Sequence, residues 1–391
     1  MTETPRTTEQ PTEQPTEQPT EQPTEQPTEQ HALAPYDVVL LLGFGGPEGP
    51  DEVMPFLRRV TAGRGIPDER LAAVGEHYHH FGGRSPINDQ NRALLAALRG
   101  ELDGRGIDTP VTWGNRNSPP FIDDALREIH ANGQRRVVVL TTSAYSCYSS
   151  CRQYRENLAD AAATVAEDGI ELSIDKVAQY APRPGFAAAN LDELVRSLRA
   201  LDGAPDHEIA LLFVTHSIPD AMDDTSGPGD GEGNLYRRQH LALASQLADE
   251  AGRLLGRDLT GELVFCSRSG PPTHPWLEPD VNDRLRELAA EGVRTAVVAP
   301  IGFVSDHMEV VYDLDTEAQQ TADELGLRLV RVPTVGTSPT FVGDLVDALL
   351  ERAAEARGEP VPQFEGRRPS VCEPGCCPNL RQARPALCGS D

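Results

Sequence analysis

Apolar residues fall into short continuous runs separated by stretches of helical spacing, and this alternation continues along most of the chain. The first run, Asp37-Val-Val-Leu-Leu-Leu42, closes on Gly43, and its unbroken apolarity suits a strand covered on both faces in a parallel sheet. Similar runs predict strands near 37–42, 110–114, 135–142, 170–178, 208–215, 261–266, 294–301 and 327–332. Between them, residues 88–102, 123–131, 191–201, 241–255 and 281–291 repeat their apolar positions at the period of a helix. The pattern predicts an α/β fold of two halves, each a parallel sheet of about four strands covered by helices, breaking around residues 202–206. Ligands are then expected where strand C-terminal ends face each other. A last helix, 341–357, is expected to close the second half, followed by a Pro/Gly/Arg/Cys-rich tail over 358–391 too poor in apolar residues for its own core.

Residues 8–30 repeat Thr-Glu-Gln-Pro, a polar, proline-punctuated tract that cannot offset its ordering entropy and is expected to be disordered. The chain has 391 residues and a formal charge of −26. Residues 1–30 hold seven acids and one Arg, so the remainder still carries −20. Such a surface repels nucleic acid and anionic lipid. No apolar run approaches the ~18 residues of a membrane span, and the first 30 residues have no apolar segment resembling a signal peptide, so a cytoplasmic protein without an integral membrane segment is expected. No heptad pattern points to assembly, and a monomer is expected. Lys176 is the only lysine. Five of seven cysteines lie in two groups, Cys147 with Cys151 and Cys372 with Cys376 and Cys377, which in a reducing compartment points to metal before disulfide; Cys266 and Cys388 stand apart.

Several segments offer chemistry. Gly43-Phe-Gly-Gly-Pro-Glu48 follows the first strand, but Glu48 replaces the third glycine of a dinucleotide fingerprint and Asp51 and Glu52 would repel phosphate, so a glycine turn approached by a flat ligand or the next helix fits better. His216 ends the fifth predicted strand, as a base, a ligand or a hydrogen-bonded strand-end imidazole. After the seventh, helical geometry from Ser305 puts Glu309, Asp313 and Glu317 in one row, either a solvated acidic face or, with His216, a set of groups able to meet a divalent cation and accept protons. Residues 141–150 end the third strand in hydroxyls and aromatics suited to a planar ligand, or cap a helix carrying Arg152 and Arg155. His77, His79 and His80 fit no common ligand spacing and read as surface or cleft-lip residues. The tail cysteines are too closely spaced for a zinc finger; with a fourth thiolate from Cys147 or Cys151 they could hold a cluster, and otherwise they are incidental.

Taken in order, Leu-Gly-Phe-Gly-Gly-Pro-Glu (42–48), Gly-Gly-Arg-Ser-Pro-Ile-Asn (82–88), Thr-Ser-Ala-Tyr-Ser (142–146), Cys-Arg-Gln-Tyr-Arg-Glu-Asn (151–157), Val-Thr-His-Ser-Ile-Pro (214–219), Ser-Arg-Ser-Gly-Pro-Pro (267–272), Pro-Trp-Leu-Glu-Pro-Asp-Val (275–281) and the block at 300–313 resemble the ferrochelatases, in particular their actinobacterial, coproporphyrin-dependent branch. The resemblance implies two Rossmann-like domains with a porphyrin cleft between them, here 32–203 and 204–357, flanked by the 1–31 repeat tail and the 358–391 extension. It implies insertion of Fe²⁺ into coproporphyrin III in haem biosynthesis, with His216 as the catalytic histidine and Glu309 as the carboxylate facing it across the porphyrin. Asp313 and Glu317 would line the metal's path. Porphyrin contacts would come from Phe44, Arg64, Arg84, Ser85, Ser143 and Tyr145, the cations and hydroxyls meeting four propionates. Phe44 stands where some relatives have tyrosine, leaving Tyr145 as the candidate proximal contact. The cysteines resemble a 2Fe-2S cluster site made by Cys151, Cys372, Cys376 and Cys377, with Cys147 and Cys388 as alternatives. A downstream haem-pathway enzyme is the implied protein partner. The alternatives are a protoporphyrin IX ferrochelatase, insertion of another divalent ion such as Co²⁺ or Zn²⁺, and a non-catalytic porphyrin-binding iron–sulfur sensor.

Overall fold

The computed structural model describes residues 1–2, 32–201, 203–269 and 273–389. The Thr-Glu-Gln-Pro repeat expected to be disordered lies outside them, as does Asp202 in the expected break between halves.

Among the described residues eight strands form, at the eight predicted places. The first sheet contains β1 (Val38–Gly43), β2 (Val111–Asn115), β3 (Arg136–Thr141) and β4 (Ser173–Lys176) in the order β2-β1-β3-β4. The second repeats that order with β5 (Ile209–His216), β6 (Gly261–Cys266), β7 (Thr295–Ala299) and β8 (Arg328–Arg331) as β6-β5-β7-β8. Every pairing is parallel, as expected for β1 and β7, whose residues are all buried. The protein is thus an α/β fold with two four-stranded parallel sheets flanked by helices.

The helices are α1 (Pro50–Val60), α2 (Asp68–His80), α3 (Ile87–Gly104), α4 (Ile122–Ala131), α5 (Gln153–Ala166), α6 (Pro184–Arg199), α7 (Asp220–Asp224), α8 (Leu235–Leu255), α9 (Val281–Glu291), α10 (Met308–Tyr312), α11 (Gln319–Leu325) and α12 (Pro339–Ala356). Two π-helical turns, Tyr148–Arg152 and Asp313–Ala318, lead into α5 and α11. Local signals explain the clearest boundaries: the Asp280 carboxylate accepts the Asn282 amide at 2.8 Å to start α9, and Gly292 at φ 94° ends it.

The helix expected to close the second half does not. Instead α12 crosses back and packs on α3 and α6. Phe341 joins the rings of Tyr180 and Phe186, while Arg183 binds Asp344 at 2.9 Å and Glu351 through both carboxylate oxygens. These partners all belong to the first half, and a periodicity reading cannot see them.

In each sheet the strand order reverses between its two central strands, β1 and β3 or β5 and β7. Ligands of open α/β sheets collect beyond the C-terminal ends at such a point. The four loops there, after Gly43, Thr141, His216 and Ala299, are the segments with the most suggestive sequences.

Gly302 fixes the relation between two of them. Its amide donates to the Val214 carbonyl at 3.1 Å, and a Cβ at this position would lie 2.1 Å from Thr215 Oγ1 and 2.7 Å from Thr215 Cα. Gly302→Ala is therefore expected to push the loop after β7 off the end of β5. Overpacking of this kind costs about 1–3 kcal/mol. Chemical denaturation would read the loss, and an unchanged midpoint would contradict the contact.

Candidate functional site

His216 ends β5 with its side chain 30% exposed, so one edge of the imidazole reaches the cleft. Nδ1 donates to the Ser217 carbonyl, which directs Nε2 at Glu309 Oε1, 3.5 Å away. The backbone is held from beneath. The Tyr236 hydroxyl donates to the His216 carbonyl at 2.9 Å, and Thr215 Oγ1 lies 2.9 Å from His240 Nε2. His240 Nδ1 is 2.7 Å from the Tyr236 carbonyl, so it carries the proton and Nε2 accepts from Thr215. Burial pushes His240 down to about 3, which makes it a neutral strut.

Glu309 lies in the first turn of α10, whose N-cap His307 accepts the Glu309 amide through Nδ1 at 3.1 Å. His307 Nε2 approaches Glu309 Oε2 at 3.8 Å, so each carboxylate oxygen faces one imidazole. Asp313 Oδ2 accepts a hydrogen bond from Ser267. Burial alone would depress His216, but Glu309, the Ser217 carbonyl and Asp313 outweigh it and raise the imidazole to about 9. Burial opposes ionisation of Glu309 as well, yet His216 and then His307 hold it at about 2. Asp313 moves to about 7, chiefly through burial and the nearby Glu309, with Ser267 opposing. Near neutrality the site therefore holds an imidazolium–carboxylate pair beside a carboxyl group able to gain or lose a proton.

Two expectations are corrected here. A separation of 3.5 Å leaves no room for a macrocycle between His216 and Glu309, so both side chains lie on the same side. The acidic row is also not a continuous α-helix. Glu309 and Asp313 keep the i, i+4 spacing, the Asp313 amide donating to the Glu309 carbonyl, but the π turn over 313–318 shifts Glu317 off the stripe; Asp313 turns toward Ser267 and Glu317 stays exposed. Burial and Asp280 raise the Glu317 carboxyl.

The opposite wall comes from the first half. The half-buried Phe44 ring packs edge-on to Phe56 at 6.1 Å, and Phe56 to Tyr78 at 5.9 Å. Burial raises the Tyr78 hydroxyl, with Glu309 and Asp313 adding to the shift, so α2 reaches toward the acidic pair. His77, the first of the clustered histidines, stacks on Tyr312 at 3.8 Å and 9°, joining α2 to the end of α10. Tyr78, His307 and Ser267 were missed from sequence, although Tyr78 lies among the conspicuous histidines and His307 beside Glu309.

The other expected porphyrin contacts divide. Arg64 is exposed, and burial of its guanidinium followed by the nearby Arg381 and Arg116 makes its charge less favourable. Arg116 lies over Phe44 at 5.4 Å and Tyr154 at 4.4 Å and donates to Asn157 at 2.7 Å. Arg64, Arg116 and Arg381 form a cationic corner without an ion-pair partner among the described residues. Arg84 instead turns to Asp89 at 2.6 Å. Ser85 is buried beneath the Gly46 turn, and Ser143 is half-buried with its carbonyl accepting from Gln179 at 2.8 Å. Tyr145 cannot serve as a proximal contact: its hydroxyl donates to the Ile301 carbonyl at 2.7 Å and its buried ring stacks on His240 at 3.6 Å.

A second grouping lies away from this cleft. Cys151, at the entry to α5, meets Cys372, Cys376 and Cys377 of the tail in one buried cluster. Adjacent cysteines both turn inward because Cys377 adopts a left-handed backbone, φ 49°, which brings the Cys376 and Cys377 sulfurs to 3.9 Å. Gly227 N–H points at Cys377 Sγ at 3.4 Å. Cys147 is instead held by the hydroxyls of Ser149 and Ser150, and Cys388 Sγ faces the Ile174 carbonyl at 3.5 Å. Among the described residues no group of three or more His, Cys, Asp or Glu side chains closes on a single metal ion. No described helix is long and apolar enough to cross a membrane.

A family model described as Ferrochelatase matches residues 36–353, and one described as PT disordered repeat matches residues 3–36. The coproporphyrin III ferrochelatase of Streptomyces coelicolor is 53% identical over 365 residues, covering 92% of this chain and 97% of its own. That of Leifsonia xyli is 50% identical over 379 residues, covering 90% and 94%. Among solved structures, SirB from Bacillus subtilis with Fe³⁺ aligns at TM-score 0.46 and 12% identity, covering 82% of this chain and 97% of SirB.

Proposed function

Because the chain belongs to the ferrochelatase family and is therefore an enzyme that inserts iron into a porphyrin, we propose that its substrate is coproporphyrin III and that His216 and Glu309 carry the proton and metal traffic. The observation that carries the reading is the His216–Glu309 pair at 3.5 Å, at the switch point of the second sheet and opposite the Phe44 wall. Insertion of Fe²⁺ releases two pyrrole protons for each ion entering the ring. His216 takes a proton at Nε2 only when that atom is unprotonated, and the Glu309 carboxylate keeps it protonated in the free protein. Fe²⁺ arriving at Glu309 offsets that carboxylate charge, so His216 gives its Nε2 proton to solvent as the metal is delivered and then takes the two pyrrole protons one after the other, passing each to solvent. Glu317 at the surface, then half-buried Asp313, then Glu309 form the proposed route inward. The cationic corner of Arg64, Arg116 and Arg381 supports a substrate with more than two propionates, since charge-assisted hydrogen bonds favour each added carboxylate. The Phe44 ring, Arg64 and Arg116 belong to the first half and Arg381 to the tail, while the proton and metal groups belong to the second half, in keeping with the proposed boundary at 203/204.

Two results would test this. Coproporphyrin III is expected to exceed protoporphyrin IX in kcat/KM, and Arg64→Ala is expected to narrow that gap by raising KM for coproporphyrin; equal use of both porphyrins would move the assignment to protoporphyrin. Histidine NMR of the free protein is expected to place the His216 titration near 9, and Glu309→Gln to bring it toward or below 6.5, since the leading upward influence is then gone. At limiting Fe²⁺ the wild-type rate accordingly rises with pH as the His216 proton is lost. A His216 titration unmoved by Glu309→Gln would overturn the coupling.

The cysteine grouping fits a 2Fe-2S cluster, a resident group separate from the Fe²⁺ substrate. A 2.3 Å metal–sulfur bond in tetrahedral geometry spaces sulfurs by about 3.8 Å, close to the 3.9 Å between Cys376 and Cys377. Cys151, Cys372, Cys376 and Cys377 would hold it, and the Gly227 amide would donate to a ligand sulfur. When bound, the cluster would supply one-electron redox chemistry and cross-link tail to body. The chain's own residues carry the acid–base steps without it. We assign a cytoplasmic monomer that passes its product to a downstream haem-pathway enzyme.

A further inference from the structure

Lys176 is the only lysine in a chain whose other side-chain cations, histidines aside, are arginines, and it is almost fully buried, at 1% exposure. Its ammonium donates to the Val177 carbonyl at 2.7 Å and to Gln179 Oε1 at 2.8 Å. Both acceptors are neutral, and among the described residues it has no carboxylate partner. The adjacent Asp175 is engaged elsewhere, with Arg352 at 2.9 Å and the Tyr36 hydroxyl at 2.7 Å. The Gln179 amide cannot turn away, because its two N–H groups are shared among the carbonyls of Ser143, Tyr145 and Ser150, 2.8, 2.9 and 3.1 Å from the nitrogen. Its oxygen is thereby fixed on Lys176.

A buried ammonium with neutral partners carries a desolvation cost of several kcal/mol unless an anion stands nearby. The anion is indicated by the cavity that Lys176 lines together with Cys151, Cys372, Cys376 and Cys377. Arg368 and the exposed Glu373 also line it, so of its two lining cations Lys176 is the buried one; the buried Arg155 nearby is committed to the Leu387 carbonyl. We propose that Lys176 is a built-in counter-cation of the cluster, placed to offset the negative charge of four thiolates and sulfide and to hold its reduction potential up. This rests on the cluster reading above. One-electron reduction adds a negative charge, so a fixed neighbouring cation favours the reduced state over the oxidised one. Gln179 is the positioning residue, acting through Lys176.

The test uses the full chain, reconstituted anaerobically with iron and sulfide, as wild type, Lys176→Met and Lys176→Arg. A mediated redox titration followed by visible absorbance and electron paramagnetic resonance is expected to give a more negative midpoint for Lys176→Met and a near-wild-type midpoint for Lys176→Arg. Equal midpoints in wild type and Lys176→Met would overturn the proposal. A second measurement uses a Cys372→Ser background, in which the cluster's charge is removed. There Lys176→Met is expected to raise the melting temperature, because an uncompensated buried charge is deleted; a lowered one would show that the ammonium is needed for packing rather than for charge. Failure of the wild-type chain to take up a cluster would instead refute the underlying cluster assignment, and is read directly from iron and sulfide content.

Discussion

His216→Ala is expected to lower Fe²⁺ insertion by about 10²–10⁴-fold, the range over which a positioned proton acceptor accelerates a reaction, while leaving coproporphyrin binding nearly unchanged. The separation of effects follows from the geometry. Phe44, Arg64 and Arg116 stand on the first half and Arg381 on the tail, and none of them touches the imidazole, whereas Glu309 loses the partner that holds its carboxyl near 2. Initial rates by absorbance and affinity by fluorescence quenching would separate the two quantities. Wild-type rates in the variant would remove His216 from the chemistry, and a matching loss of affinity would make it a porphyrin contact instead.

Cys372→Ser is expected to abolish cluster binding, read as loss of visible absorbance and of stoichiometric iron and sulfide. The body should stay folded, because neither sheet uses these thiols. Tail anchoring should weaken without vanishing. Asn379 still donates to the Tyr148 hydroxyl at 2.9 Å, Arg384 still pairs with Asp160, and Arg155 still donates to the Leu387 carbonyl at 2.6 Å. Limited proteolysis should therefore cut the variant faster within 358–389, with unchanged far-ultraviolet circular dichroism. A variant that keeps its colour would exclude Cys372 as a ligand, and the same result with Cys147→Ser is what the assignment expects, since that thiol is held by Ser149 and Ser150.

The strands were legible because burial on both faces of a parallel sheet leaves an unbroken apolar run, and the loops beyond β1, β3, β5 and β7 were legible because glycines, a run of hydroxyls and aromatics, a histidine and acids follow those runs in turn. What sequence could not give was direction in space. Glu309 and His216 are 93 positions apart, and only the folded loop held by Gly302 against Thr215 brings them to one side of the cleft. The π turn at 313–318 was hidden because an i, i+4 acidic row looks the same whether or not the helix widens. Tyr145 looked like a site residue by its neighbours in sequence, yet its hydroxyl is committed to Ile301. In α1, Val53, Phe56 and Leu57 carry a helical stripe that the interior Pro55 obscures. The tail has almost no apolar periodicity, and its position depends on scattered single contacts, such as Arg367 to Glu355 of α12, Phe364 beneath Arg183 and Asn379 to Tyr148, and on the cysteines, which composition alone could not distinguish from incidental residues.

The measurement that tests the central claim most directly is anaerobic insertion of Fe²⁺ into coproporphyrin III by the full-length protein, followed by absorbance over many turnovers. Repeated conversion of porphyrin to its iron complex is the predicted result, with the rate rising with pH at limiting iron. Tight porphyrin binding without turnover, in protein with His216 and Glu309 intact, would contradict the account and leave a porphyrin-binding protein in its place.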